Sequence, residues 1–325
     1  MSSHALGTLD TVDTVDALAI AESRAVLAHK SKSFALASRL LPKDCRDHIA
    51  VVYGFCRHVD DAIDLVPPRD RPRALETLRD AVDSIYAGRA TGVVAFDAFA
   101  VVARTRSIPR VYVDELIAGM AMDVARAEYA TLEALLHYAH RVAGVVGLLL
   151  CHVMGIADMR ALRNAAHLGL AMQLTNICRD VAEDLGDGRV YVPRSLLRVA
   201  LTRVPAAGTP AREAARHAVR TLLDEADRLY ASADAGMVAL PFRCALAVRV
   251  ARHVYAAIGD VVRERGCDPF FGRAVVSPWS KMLLVARALV ETVWEHPRRV
   301  RALFRAPDRT LVFPRDILPV SEAAR

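Results

Sequence analysis

The sequence predicts an all-α fold, and three observations carry that prediction. Polar motifs recur at helical spacing, proline and glycine punctuate the segments without the two-residue alternation of strands, and Ala, Leu, Val and Arg are abundant. No glycine-rich phosphate fingerprint follows a strand-like run, and no internal repeat is visible. A chain of 325 residues can bury about three quarters of its extended surface. With 54% hydrophobic and 25% charged residues, a disordered chain is excluded. The expected organisation is a flexible N-terminus over 1–17, one helical domain over 18–295, and a basic C-terminal tail over 296–325.

Taken in order, a first helix is predicted from Leu18 to Leu40, stopped by Pro42, which then opens a second from Lys43 to Leu65. Pro67 and Pro68 end the second helix. It places Asp60 and Asp64 at i,i+4 on one face, with Arg57 one turn earlier and Tyr53 four residues before that. Asp61 lies off that row and is expected to orient Arg57 or a metal-bound water. Further helices are predicted over 71–87, 91–107 and from Val111 onward, the last carrying Gly119 and Asp123. A helix over 131–154 has small residues three apart, which suit either a channel for a long apolar chain or close helix packing. Its stretch 142–157 is too short for a confident membrane span and reads as a buried helix.

The most informative stretch is QLTNICRDVAEDLGDGRVYVP, 173–193. Gln173, Asn176, Asp180 and Asp184 are three, four and four residues apart, one side of a helix. Asn176, Asp180 and Asp184 form an oxygen row that a hard cation could neutralise, and without one Asp180 and Asp184 repel by a few tenths of a kcal/mol. A solvated acidic face is the bland alternative for one such helix. A second array about 120 residues upstream weakens it. Two carboxylate rows with arginines beside them suit Mg2+ ions bound to a diphosphate. Arg179 and Arg189 are placed either to hold that diphosphate or to serve as ordinary ion-pair partners. Helices over 211–232, 241–263 and 280–295 complete the pattern, with a connector at 266–278.

The charge of +6 is compatible with anionic lipids or anionic substrates, and nucleic acid is discounted because the cations are scattered and no recognition motif accompanies them. His137, His140 and His152 lack zinc-like partners. Six cysteines without a CxxC pair, and the lack of a secretory signal, point to a reduced, cytoplasmic setting. The Arg-rich tail would suit contact with the inner membrane surface, although a loosely packed tail is the more economical reading.

The motifs SKSF (31–34), FCRHVDDAID (55–64), IAGMAMD (117–123), RVAGVVG (141–147) and residues 173–193 together resemble the squalene and phytoene synthase family, over a span from Ser31 to Lys281. The resemblance implies an isoprenoid synthase fold, helices surrounding a central cavity. It implies Mg2+, with Mn2+ as a substitute, held by Asp60, Asp64, Asn176, Asp180 and Asp184. It places Ser31, Ser33, Tyr53, Arg57, Gln173, Arg179, Arg189, Tyr255, Arg273 and Lys281 at the substrate, and Tyr129 in the cavity as a catalytic residue beside Arg57 and the four aspartates. Glu128 departs from the arginine common before that tyrosine. The form of 121–129 looks closest to bacterial phytoene synthases. The implied reaction is head-to-head condensation of two geranylgeranyl diphosphates through prephytoene diphosphate, without NADPH, with downstream carotenoid enzymes as partners. The alternatives are a relative making dehydrosqualene, presqualene diphosphate or squalene from farnesyl diphosphate, and a noncatalytic helical membrane-surface protein.

Overall fold

The computed structural model describes residues 15–295, apart from 157 and 199, together with residue 297. The expectations for the tail 296–325, residue 297 apart, and for most of the flexible N-terminus therefore lie outside the described residues. Among those residues there is no strand; thirteen α-helices run in order. The first six are α1 (Ala17–Lys30), α2 (Lys32–Ser38), α3 (Lys43–Asp64), α4 (Arg71–Tyr86), α5 (Val94–Thr105) and α6 (Arg110–Val124). They are followed by α7 (Leu132–Ala139), α8 (Val145–Val153), α9 (Met159–Gly186), α10 (Arg194–Leu197), α11 (Pro210–Gly236), α12 (Phe242–Glu264) and α13 (Pro278–Trp294).

Two boundaries depart from the sequence expectation. The helix expected over 18–40 is two helices. Ser31 breaks it by leaving helical geometry, with φ −142° and ψ 94°, and its side chain accepts the Phe34 amide at 3.3 Å. A serine able to satisfy the backbone itself competes with helix continuation. The helix expected over 131–154 carries a π-helical turn at His140–Gly144, which inserts a residue between α7 and α8 without stopping the axis.

The continuous run Leu132–Val153 is 22 residues long, long and apolar enough to cross a membrane, where the sequence reading counted only the shorter stretch 142–157. More than half of its most apolar window is buried in the fold, which is how a core helix behaves. Leu135, Ala139, Val145, Leu148 and Leu149 are fully enclosed.

Two large apolar clusters and a smaller third, around Leu41, Met237, Leu240 and Cys244, build the core. Of the large two, one is formed around α3 to α6 and α8 with Val51, Val52, Phe55, Phe99, Val113 and Leu148; the other lies around α7, α9, α11 and α12 with Leu170, Leu174, Leu222 and Val254. Val142 packs against both. Helix α9 runs between them, about 42 Å long at 1.5 Å per residue. It is capped by Asp158, whose carboxylate accepts the amides of Arg160 and Ala161 at 3.1 and 3.2 Å. It ends near Gly188, whose φ of +70° turns the chain toward Arg189.

Gly147, one of the small residues expected to serve either a channel or close helix packing, does something more specific together with Gly169 on α9. A methyl on Gly147 would sit 2.4 Å from the Ala165 carbonyl oxygen, and one on Gly169 would sit 2.2 Å from that of Ala143. These glycines let α8 and the π-helical turn lie directly against the α9 backbone. The helix-packing alternative holds for them, although both also border the cavity beside this seam.

Candidate active site

A cavity of about 300 Å³ opens between α2, α3, α8, α9 and α12. Most of its wall is apolar, with Val146, Leu150, Met154, Leu168, Met237 and Leu240 along its length. One end is polar, formed by Tyr53, Arg57, Asp60, Gln173, Asn176 and Tyr255. Helix α3 supplies the first three because Val52, Phe55 and Val59 bury its opposite face. Helix α9 supplies Gln173 and Asn176 on the side opposite Leu174 and Cys178. Phe34, brought in by the break at Ser31, has its ring centroid 5.3 Å from that of Tyr255 and 6.2 Å from that of Tyr53. Burial raises the Tyr255 phenol, and Arg179 and Ser31 both act against that rise.

Beyond this end the two acidic rows are joined by guanidinium groups. Arg189, carried by the turn after α9, reaches Asp64 on α3 at 2.5 Å. Arg179 forks onto Asp180, with Nε 2.8 Å from one carboxylate oxygen. Arg273, from the connector before α13, lies 3.5 Å from Asp180 and also pairs with Glu183. Arg57 pairs with Asp61, which Lys30 approaches to 3.8 Å. Asp61 thus orients Arg57, one of the two roles expected for it. The result is a collar of paired charges at the mouth of an apolar hollow.

Burial dominates the electrostatics of this collar. It pushes the Asp60 carboxyl up to about 7, opposed by Arg57 and reinforced by Asp64, Asp123 and Asp61. Burial likewise raises Asp184 to about 7, with Asp180 adding to the effect and Arg189 opposing it. Such carboxyls gain from a cation that fixes them in the charged form. Asn176 gives independent support: its side-chain oxygen is buried without a hydrogen-bond partner, although it belongs to a residue on the cavity wall. An orphaned amide oxygen on the wall it shares with Asp60, two helical turns before Asp184, suits a hard cation. Among the described residues no three Asp, Glu, His or Cys side chains form a ready-made cage. The donor set therefore fits Mg2+ that takes its remaining ligands from water and phosphate, as Mg2+ commonly does.

The remaining expected residues fall at different distances from this centre. Ser33 lies on α2 but off the cavity wall. Among the described residues Lys281, in the first turn of α13, is joined to the collar by no hydrogen bond or ion pair. Tyr129 is 3% exposed and does not line the cavity. Its ring centroid is 5.2 Å from that of Tyr138 and 6.2 Å from that of Tyr191.

Those two neighbours form a constellation that sequence reasoning missed. The Tyr138 and Tyr191 hydroxyls donate to Asp123 at 3.0 and 2.9 Å. Burial raises the Asp123 carboxyl, the two phenols lower it, and Arg189 and Asp64 both act on it. Asp123 is therefore a third acidic position, on α6, at the edge of the collar. The segment Arg194–Ser195 is held to 129–130 by two backbone hydrogen bonds of 2.9 and 3.1 Å, which brings Tyr191 alongside. The signal available in the sequence was Asp123 itself, an acid ending an otherwise apolar helical run.

Comparison with known proteins agrees with this geometry. The family model for squalene/phytoene synthase matches residues 27–280. The 15-cis-phytoene synthase of Pantoea ananas is 38% identical over 86% of this chain and 96% of its own length. The phytoene synthase of Cereibacter sphaeroides is 37% identical, over 80% and 76% respectively. The presqualene diphosphate synthase of Rhodopseudomonas palustris is 35% identical over 72% and 84%. Among solved structures, a dehydrosqualene synthase in complex with ligand superposes with a TM-score of 0.75 at 26% identity, covering 85% of this chain and 97% of that one. A squalene synthase from Alicyclobacillus acidocaldarius gives 0.69 at 28% identity, covering 78% and 95%.

Proposed function

Because the chain belongs to the squalene/phytoene synthase family, we propose that it is a phytoene synthase, a prenyltransferase joining two geranylgeranyl diphosphates head to head. The observation that carries this reading is the charged collar, contributed by two acidic helices, over a hollow with apolar walls. It is supported by the run of phytoene synthases at 37–38% identity over most of the chain.

The chemistry follows from those parts. A prenyl diphosphate leaves as an anion, and the allylic cation left behind must be kept from water. Arg57, Arg179, Arg189 and Arg273 are placed to exchange their carboxylate partners for phosphate oxygens, which suit the fork of a guanidinium. Asp60, Asp64, Asn176, Asp180 and Asp184 would hold divalent metal, which the family generally needs, with Mg2+ preferred and Mn2+ tolerated. When bound, the metal supplies positive charge that stabilises the departing diphosphate. The apolar walls exclude water from the cation, and the ring faces of Phe34, Tyr53 and Tyr255 offer it negative quadrupole. Closing the cyclopropyl ring of prephytoene diphosphate releases one diphosphate and one proton, and opening it releases the second diphosphate and a second proton to leave phytoene; the sum is redox-neutral and requires no NADPH. No side chain need act as a nucleophile, and each released diphosphate can accept one of the two protons.

The test is incubation of the purified chain with geranylgeranyl diphosphate and Mg2+, followed by mass analysis of the extract. A C40 hydrocarbon is expected. Neither hydrocarbon nor cyclopropyl diphosphate from either the C20 or the C15 diphosphate would return the chain to a noncatalytic helical protein.

A further inference from the structure

The outer face of α13 is unlike the rest of the described surface. Trp279, Met282, Leu283, Val290, Val293 and Trp294 are each more than half exposed, and they recur at three- and four-residue intervals that place them on one side of the helix. Phe271 and Val275, each 67% exposed, carry apolar surface into the connector that leads to it. The chain has two tryptophans, and both stand on this face, one near each end of a helix about 25 Å long. A tryptophan 85% exposed, as Trp294 is, gains nothing from the fold.

Charge identifies what this face suits. Between residues 269 and 295 the carboxylates are Glu291 and Glu295, and both turn inward. Glu291 meets His253 at 2.8 Å and Glu295 meets the buried Arg249 at 2.5 Å, holding α13 to α12. The same stretch carries three cations: Arg287, in the middle of α13, borders the exposed face and pairs with Glu291 at 2.8 Å, Lys281 falls on the inner side of the helix with Ala288 and Thr292, and Arg273 belongs to the collar. The sequence beyond continues the trend, with arginines at 298, 299, 301, 305, 309, 315 and 325 against acids at 308, 316 and 322. A second copy of the chain would set these cations against themselves. An acidic lipid surface would attract them, and tryptophans are favoured at the level of lipid headgroups.

We propose that the exposed face of α13, with Phe271 and Val275, is a docking surface for an anionic phospholipid bilayer, on which α13 lies parallel to the membrane plane. The apolar side chains enter the headgroup boundary while the basic groups meet lipid phosphates. A C40 hydrocarbon would find a lipid phase nearby.

The test uses the full chain without substrate, so its outcome is independent of the catalytic reading. Sucrose-loaded vesicles of phosphatidylcholine, alone or mixed with phosphatidylglycerol, are sedimented with the protein while tryptophan emission is recorded. Because both tryptophans stand on this face, their emission reports its burial. Binding to the phosphatidylglycerol vesicles, with a blue shift, is expected, and it should weaken with salt. The variants Val290→Glu and Trp294→Ala alter exposed side chains and should keep the wild-type circular dichroism. Val290→Glu should lower the vesicle partition at least tenfold, and Trp294→Ala should lower it less. Three results would each overturn the proposal: no binding to anionic vesicles, binding unchanged in both variants, or emission already blue-shifted in vesicle-free monomer and unaltered by lipid, which would mean that the chain's own tail covers the face. Dimerisation by light scattering that Val290→Glu abolishes, without vesicle binding, would assign the face to a second copy instead.

Discussion

Substituting Asp60→Asn should make the protein more stable and much less active. Asp60 has its carboxyl raised from 3.8 to about 7, chiefly by burial. The folded state therefore holds this proton more tightly than the unfolded chain, so stability falls as pH rises from about 4 to about 7. At pH 8 the folded protein bears the cost of an ionised, poorly solvated group, and asparagine of nearly the same shape does not. A shift of about three units corresponds to roughly 4 kcal/mol at 1.36 kcal/mol per unit, a ceiling because the site relaxes and admits water. About two of those units fall between pH 5 and pH 7, so roughly 1–3 kcal/mol of the gain should appear on moving from pH 5 to pH 8. Thermal unfolding in chelated buffer at both pH values, followed by circular dichroism, measures it. The variant should melt a few degrees above wild type at pH 8 and closer to it at pH 5. Its turnover should fall at least about tenfold, equivalent to roughly 1.4 kcal/mol of barrier. A variant less stable than wild type at pH 8, or a gain equal at both pH values, would refute the reasoning that burial strains this carboxylate.

Other outcomes follow from the same collar. With Asp60 and Asp184 both raised to about 7, protons compete with metal, so the Mg2+ concentration for half-maximal activity should fall as pH rises from 6 to 8; a flat profile would argue that neither carboxyl binds metal. Tyr138→Phe and Tyr191→Phe each remove a hydrogen bond to the buried Asp123 and should cost about 1.5–3 kcal/mol of stability together with activity, whereas Tyr129→Phe should change product and rate little. A large rate loss confined to Tyr129→Phe would restore the role that the family resemblance implied for it. Gly169→Ala drives a methyl against the Ala143 carbonyl and should destabilise by about 1–3 kcal/mol in chemical denaturation, an effect that a wild-type midpoint would exclude.

Much of this molecule was legible in its sequence because its signals are local. The acidic rows, the proline and glycine boundaries and the apolar periodicity each lie within one helix, and the helices at Lys43–Asp64 and Pro210–Gly236 fall within a residue or a few of their expected ends. The break at Ser31 was hidden because apolar spacing continues across it, and a serine satisfying its own turn leaves no periodic trace. The π-helical turn at His140–Gly144 was hidden for the same reason. Glycines that pack helices could not be told from glycines that widen a channel, since the distinction lies in where a missing methyl would point. The Asp123 constellation unites residues 15 and 68 positions apart, and the pairing of Arg273 with Asp180 and Glu183 crosses about 90. No pattern within one helix encodes such contacts.

The central claim is tested most directly by competition. Equal concentrations of geranylgeranyl and farnesyl diphosphates are given to the enzyme with Mg2+, with and without NADPH, and hydrocarbons are identified at low conversion. Each substrate offers the same diphosphate to the collar, and they differ by one isoprenoid unit whose burial contributes a few kcal/mol if the hollow receives it. The account predicts C40 product in excess, at a rate that NADPH does not change. Predominant C30 product, or hydrocarbon released only with NADPH, would contradict it.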